Sequence, residues 1–166
     1  MSRYRAHLQQ ANSNLEFLGK VNGVDPQRYD WQVTVAFYSA LHLVNAHLCD
    51  YGLRYRSHHD VREAISPVGR DTKPSALPKS VYLDYQKLFR LSRRARYLLD
   101  EASANDTQVA HTSEKHFAQA IRRLDALLAY FDRSLEEYVP LDIRLVSQRL
   151  ANGDPLQVVK AQAASS

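Results

Sequence analysis

The sequence predicts an all-α protein, a four- to five-helix up-and-down bundle, and three observations carry that prediction. Apolar residues recur at spacings of three and four over most of the chain, the period of a helix buried along one face. Five glycines and six prolines, gathered in a few short stretches, leave the chain without the regular turn punctuation of a many-stranded sandwich or barrel. One segment, 31–49, is apolar almost all round, as a helix surrounded by other helices must be. A chain of 166 residues with 45% hydrophobic residues is long enough for one compact domain with a real core.

Residues 3–18 read as the first helix, with Leu8, Ala11, Leu15 and Leu18 on its inner face and Gly19 and Gly23 closing it. Asp25 and Pro26 read as a cap followed by a first-turn proline, so a second helix starts there or at Asp30 and runs to about Tyr51. On a helical wheel Phe37, Leu41, Val44 and Leu48 fill one side of it, while Ala36, Ala40 and Leu43 fill much of the other. Tyr38 and His42, four residues apart, stack on one face of this apolar rod beside Val35, Ala46 and Cys49. Buried polar groups are rarely left unbonded, so Tyr38 and His42 call for partners from elsewhere, and Arg96 with one histidine of the 58/59 pair could supply them. Four such groups converging would make a polar pocket inside a bundle.

Ser57 with Asp60 three residues later reads as an N-cap, starting a short helix from His58 to about Ile65. The three prolines and one glycine of 66–80 make a loop. Helical periodicity resumes over Val81–Ala102, with Leu88, Leu91, Ala95, Leu98 and Leu99 on the apolar arc. Lys87, Arg90, Arg93 and Arg94 lie outside that arc as a basic stripe, whereas Arg96 falls at its edge with Tyr85, Phe89 and Ser92 and so looks inward or across an interface. After a polar connection, Ser113–Val139 reads as a long helix whose Phe117, Ile121, Leu124, Leu128, Phe131 and Leu135 form a near-heptad seam, able to pack within the chain or between two chains. The predicted organisation is therefore a bundle over 1–139, an amphipathic helix over 140–154 packed on it, and a flexible tail over 155–166.

A net charge of +4 is mild, so any attraction to nucleic acid must come from local clustering. A single cysteine, Cys49, excludes an internal disulfide framework, and its apolar helical setting suits a packed thiol better than a nucleophile. No apolar run approaches a membrane span and the first residues hold no hydrophobic signal core, so a cytoplasmic protein is expected. His58, His59 and Arg62 share the first turns of a helix. That is either a hydrated helix start or a site where neutral imidazoles beside the positive helix end meet phosphate. Tyr4, Tyr55, Tyr82 and Tyr97 could stack on unpaired bases. His111 and His116 lack a completing carboxylate cluster, so neither a metal site nor a cofactor is expected.

The string DWQVTVAFYSALHLVNAHLCDYGLRYRSHHDVREAI, followed by YQKLFRLSRRARYLL and a long amphipathic helix, resembles the HEPN superfamily, the higher eukaryotes and prokaryotes nucleotide-binding domains. The resemblance covers about residues 8–138. It rests on Trp31, the Phe37-Tyr38 pair, Leu41-His42, a Gly-x-x-x-x-Ser-His element at Gly52, Ser57 and His58, and the Ala95-Arg96-Tyr97 run. It implies a bundle that usually forms a homodimer and binds RNA or nucleotide. Many family members are metal-independent endoribonucleases with an Arg-x(4 to 6)-His motif, which this chain matches once, from Arg54 to His59. Such a protein would be the toxin or effector of a bacterial toxin-antitoxin or phage-defence system, with a nucleotidyltransferase-like antitoxin or another defence protein as partner. In that reading His58 or His59 transfers protons, and Arg62 and Arg96 hold phosphate. Tyr38, His42 and Tyr97 form the pocket, and Arg54, Lys87, Arg90, Arg93 and Arg94 contact the backbone of the nucleic acid. The alternative is a non-catalytic interaction module that binds a partner protein or nucleic acid.

Overall fold

In the computed structural model, which describes residues 1–69, 73–99 and 109–165, four long helices form an up-and-down bundle. They are α1 (Arg3–Val24), α2 (Tyr29–Asp50), α4 (Lys79–Tyr97) and α5 (Glu114–Ser134), with the short α3 (His58–Ile65) set between α2 and α4. The helix α2 is the central rod: most of its residues are buried and it packs against α1, α4 and α5, as the all-round apolar pattern requires. Phe37, Tyr85, Phe117 and Phe131 are fully buried and anchor the core, the three phenylalanines each contributing roughly 1.5–3 kcal/mol by removal from water. All six residues of the 117–135 seam are buried inside this one chain, which settles that the seam packs internally.

Several helix ends differ from the sequence reading. The helix α1 runs through Gly19 and Gly23 to Val24, because tertiary packing outweighs the roughly 1 kcal/mol that a mid-helix glycine costs. The space at Gly19 is taken up by Ile143, whose Cγ2 lies 4.0 Å from where a β-carbon would stand. The helix α2 starts at Tyr29, not at Pro26 or Asp30, since Asp25 Oδ1 accepts from Gln27 N and holds Asp25–Pro26 in a turn. The helix α4 ends at Tyr97 rather than Ala102: Leu98 adopts a left-handed conformation with φ 55° and caps the helix. Leu98 and Leu99 are consequently exposed, not part of the apolar arc, and residues 100–102 lie outside the described residues.

The chain after α5 departs most from expectation. The helix α5 ends at Ser134 instead of Val139, and Arg144–Val146 forms β1 where an amphipathic helix was expected. A one-turn α6 (Gln148–Ala151) follows, and Lys160–Gln162, expected to be part of a flexible tail, forms β2 parallel to β1 with Arg144 opposite Lys160. The cause is tertiary. The Asn22 side chain receives Val146 N at 2.7 Å and donates to Val146 O at 3.2 Å, closing the free edge of β1 as a strand neighbour would. From α5, Asp125 accepts three backbone N–H bonds from Gln157, Val158 and Val159 at 2.7–2.8 Å. Arg122 donates to the carbonyls of Arg149, Leu150 and Asp154. The C-terminal segment is thus a strap clamped by one anion and one cation a single helical turn apart.

Candidate functional site

The Ser57 hydroxyl accepts from Asp60 N at 3.1 Å and starts α3, which sets His58 in the first turn. The His58 ring packs against Phe37 of α2 and Phe89 of α4, with ring centroids 5.5 and 5.8 Å away. One turn further along α3, the Arg62 guanidinium lies over the Phe89 ring at 4.7 Å. From the last turn of α4, Arg96 is packed among three rings: Phe37 at 5.7 Å, Tyr38 at 5.8 Å and Tyr97 at 5.0 Å. Its Nε and Nη2 donate to the backbone and hydroxyl oxygens of buried Ser92, so the fork is aimed and its remaining donors have no partner among the described residues.

His58, Phe89, Arg96 and Tyr97 border an open cleft of about 370 Å³, completed by Arg93 and Leu99, with Arg62 stacked on its Phe89 wall. Its described lining holds two guanidiniums, an imidazole and no carboxylate. Burial, then the nearby Arg96 and Arg62, hold the His58 imidazole below its ordinary pKa, so the ring is neutral at pH 7 and able to take a proton. Arg62 Nε is buried with no hydrogen-bond partner among the described residues, a costly state for a charged donor and one that an anionic oxygen would relieve. Cation-lined and aromatic-walled, the cleft suits a phosphate with an attached ring.

Of the residues named for the pocket, His58, Arg96 and Tyr97 line this cleft, and Tyr38 lies beside it with its ring 5.8 Å from the Arg96 guanidinium. His42 does not join them. It points to α1, where its Nδ1 lies 2.9 Å from His7 Nδ1, because α1 covers that side of α2. Burial first, and then the charge of His7, push the His42 pKa down to about 4. His59 is exposed and lies on no described wall of the cleft. Arg54 lines a different cleft with Arg3, His7, Asn45, Cys49, Leu53 and Tyr55. No hydrogen bond among the described residues joins it to His59. The basic stripe divides: Lys87 and Arg90 border a groove with Arg123 and Asp84, Arg93 turns into the His58 cleft, and Arg94 Nε donates to His111 O at 3.0 Å.

Sequence reasoning missed His7, whose only signal was its place beside the apolar face of the first helix, and the wall residues Phe89 and Leu99. His116 accepts from Ser113 N in a capping box. Among the described residues there is no group of three or more His, Cys, Asp or Glu placed to hold a metal, and no helix long and apolar enough to cross a membrane.

The family model for the HEPN domain matches residues 4–133. The chain belongs to the HEPN domain family. Comparison with curated proteins and with solved structures gives no match. Family membership supports a function related to nucleotide or RNA in general terms. The geometry explains two positions that carried the resemblance: Gly52 turns the chain out of α2 at φ 69°, and Ser57 caps the helix that presents His58. Trp31, another of them, is 55% exposed at the start of α2 and far from full burial. The HEPN match ends within α5, so the clamped strap lies beyond it.

Proposed function

We propose that this HEPN protein binds RNA through the His58–Arg62–Arg96 cleft, with Arg96 and Arg62 on a phosphate, Tyr97 stacking on a base, and His58 as the proton-transfer group. The observation that carries the reading is that Arg96 and, stacked on the Phe89 wall, Arg62 both stand close to the neutral His58 imidazole, beside a cleft with no acid among its described lining residues. A nucleotide phosphate would satisfy the buried Arg62 Nε and the spare Arg96 donors, while Tyr97, 56% exposed at the rim, offers a face for a base. In strand cleavage His58 would accept the proton of the attacking 2′-hydroxyl, the guanidiniums would balance the charge on the oxygens of the pentacoordinate phosphorus, and the P–O5′ bond would break with the leaving 5′-oxygen taking a proton from water, giving a 2′,3′-cyclic phosphate and a 5′-hydroxyl. His59 and the Arg54–His59 spacing have no part in this arrangement.

Labelled single-stranded RNA incubated with the purified protein tests the reading directly. Binding is expected to weaken in Arg96→Ala and Arg62→Ala, and any cleavage to disappear in His58→Ala while binding persists. RNA binding or cleavage unchanged by all three substitutions would remove the cleft from the function. A toxin or effector role within a toxin-antitoxin or defence system adds two expectations: growth arrest on expression, and relief by a co-expressed partner encoded nearby. The homodimer usual in the family is checked by light scattering. The second reading, a non-catalytic interaction module, is favoured by the Arg54 cleft having no His59 in its lining and predicts binding without turnover.

A further inference from the structure

A second cleft, of about 110 Å³, lies where the first turns of α1 meet the end of α2 and the segment 53–55. Arg3 and Arg54 line it with His7, Asn45, Cys49, Leu53 and Tyr55. Neither arginine forms an ion pair among the described residues, in contrast to Arg5, whose guanidinium forks onto the Glu137 carboxylate at 2.8 and 2.9 Å. The first turn of α1 carries no acid at all, so Arg3 stands at the positive end of a helix dipole without local compensation. A local rule broken in this way is expected at functional sites. Asp50, next to Cys49, is felt by the thiol, but the two guanidiniums outnumber it.

The two clefts lie along one side of the central helix. Tyr38 marks the first, Asn45 and Cys49 the second, and the His7–His42 pair sits between them. Tyr38 and Cys49 are eleven residues apart, about 16 Å along the helix axis at 1.5 Å per residue, more than one nucleotide can span. With Nδ1 atoms turned toward each other, the two imidazoles hold α1 on α2 and leave His7 at the wall of the second cleft.

We propose that the Arg3–Arg54 cleft is a second phosphate site, occupied by a backbone phosphate of the same single RNA strand whose other phosphate lies at Arg62 and Arg96. The ligand class is then a short single-stranded oligonucleotide, not a mononucleotide, lying along α2 over the paired imidazoles. This rests on the RNA-binding reading of the first cleft and adds a direction and a length to it.

The test uses a labelled dinucleotide, which reaches only the first cleft, a labelled single strand of about ten nucleotides, in the size range of single-strand binding sites, and inorganic phosphate. The full chain is compared with Arg3→Ala/Arg54→Ala, whose changes fall on exposed side chains and whose folding is checked by thermal melting. The expected result is unchanged dinucleotide affinity together with a salt dependence for the longer strand that is shallower by about 1.4 in the log–log slope, two contacts at about 0.7 each. An unchanged slope overturns the second site. Loss of phosphate binding with the strand slope intact also overturns it, because the cleft would then take free phosphate instead of the strand. If neither RNA probe binds the unsubstituted protein, the first reading fails, and that result is distinct from both others.

Discussion

Replacing Asp125 by alanine should detach the C-terminal strap and lower stability by an amount that the geometry bounds. The carboxylate is 5% exposed, forms no ion pair among the described residues, and accepts N–H bonds from Gln157, Val158 and Val159 at 2.8, 2.7 and 2.8 Å. Hydrogen bonds to a charged group contribute about 1.5–3 kcal/mol each, so three set a ceiling of about 9 kcal/mol. Two effects lower that ceiling. Gln157 is exposed and its amide can return to water, and the strap can open locally, after which the four-helix body no longer feels the loss. We therefore expect about 3 kcal/mol, a fall of roughly 6–12 °C in melting temperature for a chain of this size. Asp125→Asn should fall between: one amide oxygen still serves Val158 and Val159, but the NH₂ then faces the Gln157 N–H, donor against donor. The paired readouts are calorimetry and amide exchange, with protection lost first at 157–162. A normal melting temperature with undiminished protection at Val159 in the alanine variant would refute the clamp.

Other substitutions probe the site and its supports. Arg96→Ala should weaken RNA binding roughly ten- to hundredfold, the value of a charge-assisted bond worth about 1.5–3 kcal/mol, and fluorescence anisotropy would measure it; unchanged affinity would mean that the fork does not touch ligand. The imidazoles of His7, His42 and His58 all have folded pKa values below 6.5, so the unfolded chain binds more protons and stability is fully present above that value. Denaturation midpoints should therefore decline from pH 6.5 down toward about pH 4 and the decline should flatten in His42→Asn, whereas a decline of unaltered size would assign it to the carboxylates. In Gly153→Ala a β-carbon would stand 1.4 Å from Arg122 Nη2 and push the guanidinium off its three carbonyls. A cost of about 1–2 kcal/mol is expected in urea unfolding, and a neutral result would show that Arg122 reorients freely.

What the sequence determined by itself is the bundle and the local geometry within its helices. Periods of three and four identified all four long helices, and the Ser57–Asp60 cap placed α3 to the residue, since capping is a contact between neighbours in the chain. The same locality set Arg96 apart from Lys87 and Arg90, because the angle between Arg96 and Arg90 on one helix does not depend on the rest of the fold, while Arg93, one turn before Arg96, lines the same cleft. Tertiary structure decided the remainder. His42 meets His7, thirty-five residues away, and Val146 meets Asn22, 124 residues away; no spacing within either segment encodes those meetings. The strand at 144–146 is short, its partner lies in what read as a tail, and it exists because Asn22 and β2 satisfy its backbone from both sides. Helices carry their hydrogen bonds within themselves and so are written locally, whereas short strands, clamps and clefts borrow their partners from distant parts of the chain and appear only once the bundle has brought those parts together.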